Sequence, residues 1–227
     1  MPRRRKNNST KIEVIKVAMN MFLEKGYYHT SIKNIGDELE MSSGHIMFYF
    51  PTKEHLLLEL VSCLCNYQKM MIQDAMKEGI SSLTAMGTEL LVMANIADKN
   101  DILKEFYIAA YTHPLTLDYI QKNDTDRSKI IYKEYCINWS NEQFEEMEIM
   151  ASGLEYSMNA GPSNFSAISR VPGVLRTIMG LYNVPEDIKE ETIRKVLATE
   201  VVNEISKEIG QGFKKYIEEM TESLMEE

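Results

Sequence analysis

Apolar residues recur at helical spacing along most of this chain, and nowhere do they alternate with polar residues long enough to predict a strand. The stretch from Lys53 to about Glu78 is the clearest case, because Leu56, Leu60 and Leu64 fall on one face of a helix. Glycine, proline and capping residues separate this stretch from others of the same kind. We therefore predict an all-α protein.

The N-terminal end of the chain predicts three short helices. The first runs from about Lys11 to the residue before Gly26, Thr30 is the predicted N-cap of the second, and Ser42 is that of the third. Met41 supplies an inward apolar residue in the tight turn between the second and third helices. A short helix, a tight turn and a second short helix are the plan of a helix-turn-helix, whose second helix enters the major groove of DNA.

The rest of the chain is predicted to contain helices only. Thr52 is expected to cap the long helix that begins at Lys53. The later helices are predicted at Ser82–Asp98, Asp101–Thr112, Leu115–Ile137, Asn141–Asn159, Phe165–Tyr182 and Glu186–Met225.

Charge is distributed unevenly along the chain. The formal net charge is −9, but residues 1–56 hold nine basic and six acidic residues, a charge of +3 against −12 for the rest. A basic end on an acidic body concentrates polyanion binding at that end. The polar arm of residues 1–11, with Arg3, Arg4 and Arg5, is expected to be disordered without DNA. It is either a solubilising tail or, as its position favours, an arm that contacts phosphates or a minor groove.

The third helix supplies the candidate base contacts. Ser43, His45 and Met47 are predicted on its exposed N-terminal face, with His45 contacting a base edge. Gly44 is expected to permit close packing or a close backbone approach. Lys33 is either a phosphate ligand or a solvated charge. Further phosphate contacts are expected at helix N-termini and at the end of the third helix, from Thr30, Ser42, Tyr49 and Lys53.

The segment from Phe22 to Leu57 resembles the TetR family of helix-turn-helix transcriptional regulators. The matching residues are Phe22-Leu23-Glu24-Lys25-Gly26-Tyr27, Thr30-Ser31-Ile32-Lys33-Asn34-Ile35, Ser42-Ser43-Gly44 and Phe48-Tyr49-Phe50-Pro51-Thr52-Lys53-Glu54-His55-Leu56-Leu57. Two positions depart from the family pattern. Met47 stands where the family usually has an aromatic residue that helps to contact DNA, and Glu40 replaces the small residue usual at the turn.

The resemblance implies a division of labour along the chain. Residues 1–52 would be a DNA-binding domain with a basic arm, and residues 53–227 a larger helical bundle for ligand binding and dimerisation. A homodimer would read a palindromic operator in double-stranded DNA, and an unknown small-molecule effector would release it, as in a repressor. The interface would lie in the last long helices, where Val174, Ile178, Leu181, Val196, Val201, Val202 and Ile205 could supply it or could fill the chain's own core.

The resemblance also places an effector pocket among the middle helices. Methionine and aromatic side chains there suit an apolar or aromatic effector, although each also fits a plain core position. The acidic body would favour a cationic effector slightly. The candidates are Met93, Phe106, Tyr107, Tyr111, His113, Tyr135, Trp139, Met150 and Tyr156.

Other classes of function find little support in the sequence. It has no phosphate loop, no Gly-x-Ser-x-Gly and no His-Glu-x-x-His, and the charge run of Glu142, Glu145, Glu146 and Glu148 fits a solvated face. We expect no enzyme activity, cofactor, metal or disulfide. Without a signal peptide or a long apolar run, we expect a cytoplasmic protein that does not enter a membrane. The alternatives are a helical protein that binds a protein partner and, further off, an enzyme on a helical bundle.

Overall fold

The computed structural model describes residues 2–161, 164–198 and 202–226, with the side chains of residues 9–161, 164–198 and 211–223. Within these ranges the chain is helical and contains no strand, which confirms the all-α prediction. The helices are α1 Pro2–Lys25, α2 Ile32–Glu38, α3 Ser43–Tyr49, α4 Lys53–Lys77, α5 Ser82–Lys99, α6 Asp101–Thr112, α7 Pro114–Ile131, α8 Asn141–Ala160, α9 Ala167–Leu181, α10 Glu186–Leu197 and α11 Val202–Glu226.

The N-terminal arm was predicted wrongly as a disordered segment. The backbone of α1 is already helical at Pro2, so residues 2–10 extend the helix that was expected to begin near Lys11. Proline is well suited to the first position of a helix, because its fixed φ is helical and its missing N–H has no partner there in any case. The side chains of Arg3, Arg4 and Arg5 lie outside those that the structure describes.

Two long predicted helices differ from the observed ones. Helix α7 ends at Ile131, and the turns that follow are held by backbone hydrogen bonds from Tyr135 and Cys136 to Tyr132 and from Trp139 to Cys136, with Asn138 at a φ of +68°. The predicted last helix is two helices, α10 and α11. Helix α11 passes through Gly212 without a break.

Two hydrophobic cores hold the helices together. One contains Phe22, Ile35 and Ile46 from the first three helices together with residues of α4, α6, α7 and α11, such as Phe213. This core crosses the predicted domain boundary after residue 52 and ties the N-terminal helices to the body. The other core joins α4 and α5 to α7, α8, α9 and α10 around residues such as Leu175.

Several residues considered for a dimer interface lie in the chain's own core. Ile178 and Val196 are buried there, and Val174 and Leu181 pack against it. Val201 and the side chains of Val202 and Ile205 lie outside the described part. None of the described helices is both long and apolar enough to cross a bilayer.

Candidate nucleic-acid interface and internal cavity

Helix α3, the second helix of the helix-turn-helix, is fixed by a cap at one end and by a buried residue on one face. The Ser42 hydroxyl accepts a hydrogen bond from the backbone N–H of His45 at 3.3 Å, as the sequence predicted. Ile46 is fully buried. Because Ile46 points inward, its neighbours point outward: His45 and Met47 are exposed, and Ser43 is partly exposed. The helix therefore presents to solvent the three side chains that were predicted on its exposed face, including His45, the predicted base contact.

Phe48 is a surface residue that the sequence analysis did not single out. Its side chain is 74% exposed, and its ring meets that of Tyr49 edge to face at 5.2 Å. The Tyr49 ring lies 5.7 Å from the ring of His45, so the three aromatic side chains form one cluster. The sequence could have indicated this exposure, because Phe48 lies two residues from both Ile46 and Phe50 and so cannot share their inward face.

The turn before α3 depends on one glycine and one strained residue. The Met41 N–H donates to the Gly36 carbonyl at 2.8 Å, and a Cβ on Gly36 would lie only 2.6 Å from the Met41 carbonyl oxygen. Glu40 has a φ of +53°, in the left-handed region that side chains disfavour. The departure at Glu40 thus stores backbone strain in the helix-turn-helix. By contrast, no atom lies within 4 Å of a Cβ built on Gly44, so that glycine is not required by packing inside the chain.

Two predicted phosphate ligands are engaged inside the protein. The N-cap of α2 is Ser31, not Thr30, which is 1% exposed. The Thr30 hydroxyl lies 2.9 Å from the Gly26 carbonyl and holds the turn instead of reaching solvent. Lys53 donates to the Tyr27 carbonyl at 3.0 Å, with its ammonium 3.9 Å from the centre of the Tyr27 ring. Burial lowers the pKa of Lys53, while the nearby Glu54 opposes that shift.

Other predicted contacts remain at the surface. Lys33 is 80% exposed and lies 3.4 Å from Asp37 in a solvated ion pair. Ser42 is exposed and Tyr49 is partly exposed. Thr52 occupies the N-cap position of α4, as predicted, but its hydroxyl lies 3.0 Å from the His55 ring nitrogen Nδ1 rather than on a backbone N–H.

Glu105 of α6 connects the helix-turn-helix to the body. Its carboxylate accepts a hydrogen bond from the backbone N–H of Tyr28, in the turn after α1. The same carboxylate lies against Gly26, whose φ is +92° and where a Cβ would lie 2.9 Å from an Oε atom. The residues that follow, Phe106 and Tyr107, are buried and face the interior of the body. One helix therefore contacts both regions.

An internal cavity of about 80 Å³ lies between α4, α5, α6, α7, α8 and the end of α9. Four predicted ligand-binding residues line it: Met93, Phe106, Tyr107 and Tyr111. The rings of Tyr107 and Tyr111 stack at 4.5 Å. A second, mostly apolar groove of about 160 Å³ lies along α4 and α5.

The other five predicted residues line neither space. His113 is the N-cap of α7, where its Nδ1 accepts from the Leu115 N–H at 3.2 Å. Trp139 packs against Phe144, with ring centres 5.3 Å apart. Met150 is exposed, and Tyr135 and Tyr156 are partly exposed. Aromatic rings and thioethers suit a pocket wall, but Tyr135 and Trp139 lie in the turns after α7, outside the cavity.

The cavity wall also contains charged residues that the sequence did not indicate. Arg127 of α7 contacts Glu89 at 2.6 Å and Asp124 at 3.0 Å, and its side chain is only 12% exposed. Glu148 was predicted on a solvated face but is buried, with the Ser128 and Tyr182 hydroxyls at 3.3 and 3.2 Å. Its neighbours in the charge run, such as Glu146, are exposed as expected.

Glu155 is the fourth carboxyl group of the cavity. It accepts a hydrogen bond from the Tyr111 hydroxyl at 2.8 Å. Burial and the nearby Asp124 raise the pKa of Glu155 to about 7, and burial raises that of Glu148 well above its usual range. Among the described residues, no basic side chain forms an ion pair with either of these two carboxyl groups. The cavity therefore holds more acid than base.

The described cysteine, histidine and acidic side chains form no candidate metal site. Cys63, Cys65 and Cys136 are free and buried, and burial raises the pKa of the Cys136 thiol to about 11. Within the described ranges, no group of three or more histidine, cysteine or acidic side chains could hold a metal ion.

Comparison with known proteins gives a family match at the helix-turn-helix. Residues 14–60 match the family model described as bacterial regulatory proteins, tetR family. The matched segment runs from within α1 into α4 and includes the whole of α2 and α3.

One curated relative and two solved structures are also similar to the chain. An uncharacterized HTH-type transcriptional regulator, YuxN of Bacillus subtilis (strain 168), is 33% identical over 91 residues, which are 40% of this chain and 31% of YuxN. The chain thus matches about a third of that relative's length. A structure of the TetR family protein CprB from S. coelicolor A3(2) has a TM-score of 0.43 and 16% identity, covering 87% of this chain and 100% of CprB. A structure of CprB from Streptomyces coelicolor in complex with its biological operator sequence has a TM-score of 0.42 and 17% identity, covering 90% of this chain and 99% of CprB.

Proposed function

We propose that this chain is a DNA-binding regulator, a homodimeric repressor that a small molecule releases from a palindromic operator. The proposal starts from the match of residues 14–60, which contain the helix-turn-helix, to the tetR family of bacterial regulatory proteins. The observation that supports this most is the exposed surface of α3. His45, Met47 and Phe48 point away from the core of a domain whose other large side chains are mostly buried. Exposed aromatic and apolar side chains of this size mark a contact surface.

His45 is the proposed reader of a base edge. An imidazole can donate to or accept from the polar edges of the bases in the major groove. Met47 and Phe48 beside it offer apolar contact to a thymine methyl group. Ser43 precedes them on the same helix, and Gly44 leaves open space through which a phosphate-sugar backbone can approach.

Phosphate contacts are proposed around this reader. Ser42, Tyr49 and the exposed Lys33 flank α3, and Arg3, Arg4 and Arg5 belong to the extension of α1. Such contacts fix the position of a protein on the duplex without reading sequence. Thr30 and Lys53 serve the fold of the domain instead.

To read a palindrome, a dimer must hold its two α3 helices about 34–36 Å apart along the duplex. An effector in the cavity can alter this arrangement only if it binds the two forms of the protein with different affinity. Helix α6 is the proposed link, because Glu105 contacts the turn after α1 while Tyr107 and Tyr111 line the cavity. The division of the chain after residue 52 is part of the same proposal, with helix α4 as the boundary element.

Selection from genomic DNA tests the function directly. Purified protein is incubated with sheared genomic DNA of its source organism, and the retained fragments are sequenced. We expect the wild-type protein to enrich a short palindrome. His45→Ala protein, treated in parallel, should retain less of this DNA or a broader set of sequences. If the wild-type protein enriches nothing at a salt concentration where another repressor succeeds, the DNA-reading function is wrong, and a helical protein that binds a protein partner becomes the better account.

A further inference from the structure

The wall of the internal cavity points to the chemical class of its ligand. We propose that the cavity binds a protonated primary or secondary amine that carries an apolar chain, with the ammonium group between Glu155 and Asn159. The inference rests on the proposed function only in calling this ligand the effector. Its binding to the free protein can be measured without DNA.

An unpaired acceptor lies in the wall of the cavity. Asn159 is 2% exposed, and its amide nitrogen donates to the Glu155 backbone carbonyl at 3.1 Å. This bond fixes the orientation of the amide, since a reversed amide would place two carbonyl oxygens against each other. The side-chain oxygen of Asn159 then has no hydrogen-bond partner. Buried acceptors are nearly always satisfied, so a ligand with an N–H group fits here.

The charge balance of the wall selects a cation. Arg127 pairs with Glu89 and Asp124, whereas Glu148 and Glu155 form no ion pair among the described residues. Glu155 has only a hydroxyl donor, from Tyr111. A positively charged ligand would supply the missing partner. An anion would find only the unpaired Nε of Arg127, a residue whose charge Glu89 and Asp124 already balance. Stacked tyrosine rings in the same wall also favour a cation through their negative faces.

The Asn159 oxygen separates two kinds of organic cation. A protonated amine donates hydrogen bonds to both Asn159 and Glu155, whereas a quaternary ammonium group has no N–H to donate. Charge-assisted hydrogen bonds of this kind are about twice as strong as neutral ones. The geometry therefore favours an amine that retains at least one N–H.

The apolar part of the ligand has a place next to the cavity. The apolar groove along α4 and α5 shares Leu64, Gln68, Glu89 and Met93 with the cavity wall, so the two spaces adjoin. The remainder of the groove is lined by side chains such as Met71, Ile72 and Val92. The cavity alone is small, so a chain attached to the amine would extend into this groove. An alkyl amine fits both the charge and the shape.

Four eight-carbon probes test the proposal by calorimetry on the full chain. Octylamine should bind, octyltrimethylammonium should bind about tenfold more weakly for lack of an N–H, and neutral octanol more weakly still. Octanoate should not bind measurably. Equal affinity for octylamine and octyltrimethylammonium would overturn the role of Asn159. Binding of octanoate as tight as that of octylamine, or no binding of octylamine at millimolar concentration, would overturn the cationic ligand.

Matched variants place the ligand. Glu155→Gln and Asn159→Leu should each weaken octylamine binding about tenfold, while Glu146→Gln, an exposed change on the same helix, should leave it unchanged. Thermal unfolding checks that each variant is folded. If a variant does not fold, the four probes on the wild-type protein still test the proposal. If octylamine fails to bind but the wild-type protein still enriches a palindrome, this inference alone is wrong. If octylamine binds and no DNA is enriched, the proposed function is wrong.

Discussion

The helix-turn-helix and the internal cavity place their polar groups in opposite ways. In the helix-turn-helix, the charged pair Lys33–Asp37 is solvated, and Ser31 and Thr30 bond to residues three to nine positions away, while the Tyr28 N–H reaches Glu105 of α6. In the cavity, Arg127 and Glu89 are 38 residues apart in sequence and meet inside the body, as do Tyr111 and Glu155, 44 residues apart. The cavity leaves the Asn159 side-chain oxygen and the Arg127 Nε without a hydrogen-bond partner, whereas the described side chains of the helix-turn-helix include no such buried atom.

This difference fits the two roles that we propose. A surface that reads DNA needs side chains held in fixed positions by their own backbone, and α3 has a cap and a buried anchor. A site that responds to a ligand needs groups whose best partner is absent until the ligand arrives. The cavity has such groups in Asn159 and Glu155.

Removal of the buried guanidinium should have the largest effect on stability. Arg127→Met leaves Glu89 and Asp124 as largely buried carboxyl groups without a cationic partner, and the free energy of unfolding should fall by about 3–5 kcal/mol. Lys33→Met is the matched change in the helix-turn-helix and should cost no more than about 1 kcal/mol, because that pair is solvated. Urea unfolding measures both. Equal losses would remove the contrast between the two regions.

Gly36→Ala should be the most damaging small change in the helix-turn-helix. The added Cβ would lie 2.6 Å from the Met41 carbonyl oxygen, which is backbone and cannot move without opening the turn. Overpacking of this kind costs about 1–3 kcal/mol. Gly44→Ala is the control, since its Cβ meets no atom within 4 Å. Thermal unfolding of the two variants compares them, and a Gly36→Ala protein as stable as Gly44→Ala would contradict the described turn.

Glu155→Gln should change how stability depends on pH. The folded pKa of about 7 lies above the ordinary value of 4.5, so the folded protein keeps a proton that the unfolded chain releases between these values. Wild-type stability contributed by this group is therefore present at low pH and is lost as pH rises through 7. From pH 5 to pH 8, the free energy of unfolding of the variant should therefore rise by about 1–2 kcal/mol relative to that of the wild-type protein.

Urea unfolding at the two pH values is the measurement, with Glu146→Gln as the exposed control. Glu89 and Glu148, which also face the cavity and whose carboxyl pKa values burial raises, remain in the variant and keep part of the slope. An identical pH slope in wild-type and Glu155→Gln proteins would show that Glu155 titrates normally.

The smallest expected effect is a gain. Glu40→Gly relieves a left-handed backbone conformation and should stabilise the protein by about 1 kcal/mol. Glu38→Gly, two residues earlier in the last turn of α2, has no such strain to relieve and should instead destabilise by up to about 1 kcal/mol. A loss of stability in Glu40→Gly, measured by thermal unfolding, would show that the glutamate side chain makes a contribution larger than the strain.

The sequence predicted the helix-turn-helix well because its signals are local. Ser42 and Gly26 act within a few residues of the helix ends that they mark. The error at Thr30 was one residue, between two adjacent side chains that can both cap a helix, and burial decided which one does. The helix at Pro2 was missed because polar, basic composition was taken to indicate disorder.

The cavity could be predicted only in its apolar half. Phe106, Tyr107 and Tyr111 share one helix with clear periodicity, so their common face was visible. Glu148 was read with Glu142, Glu145 and Glu146 as one solvated run. Its burial depends on how α8 packs against α7 and α9, which no local pattern of charges reveals.

The central claim is that α3 reads base sequence through His45. Its most direct test is the affinity for the selected palindrome divided by that for a scrambled duplex, measured by fluorescence anisotropy at one salt concentration. We expect this ratio to fall by about 10- to 100-fold in His45→Ala protein, while affinity for the scrambled duplex stays the same, because a base contact is lost and phosphate contacts are kept. An unchanged ratio, or an equal loss of affinity for both duplexes, would contradict the claim.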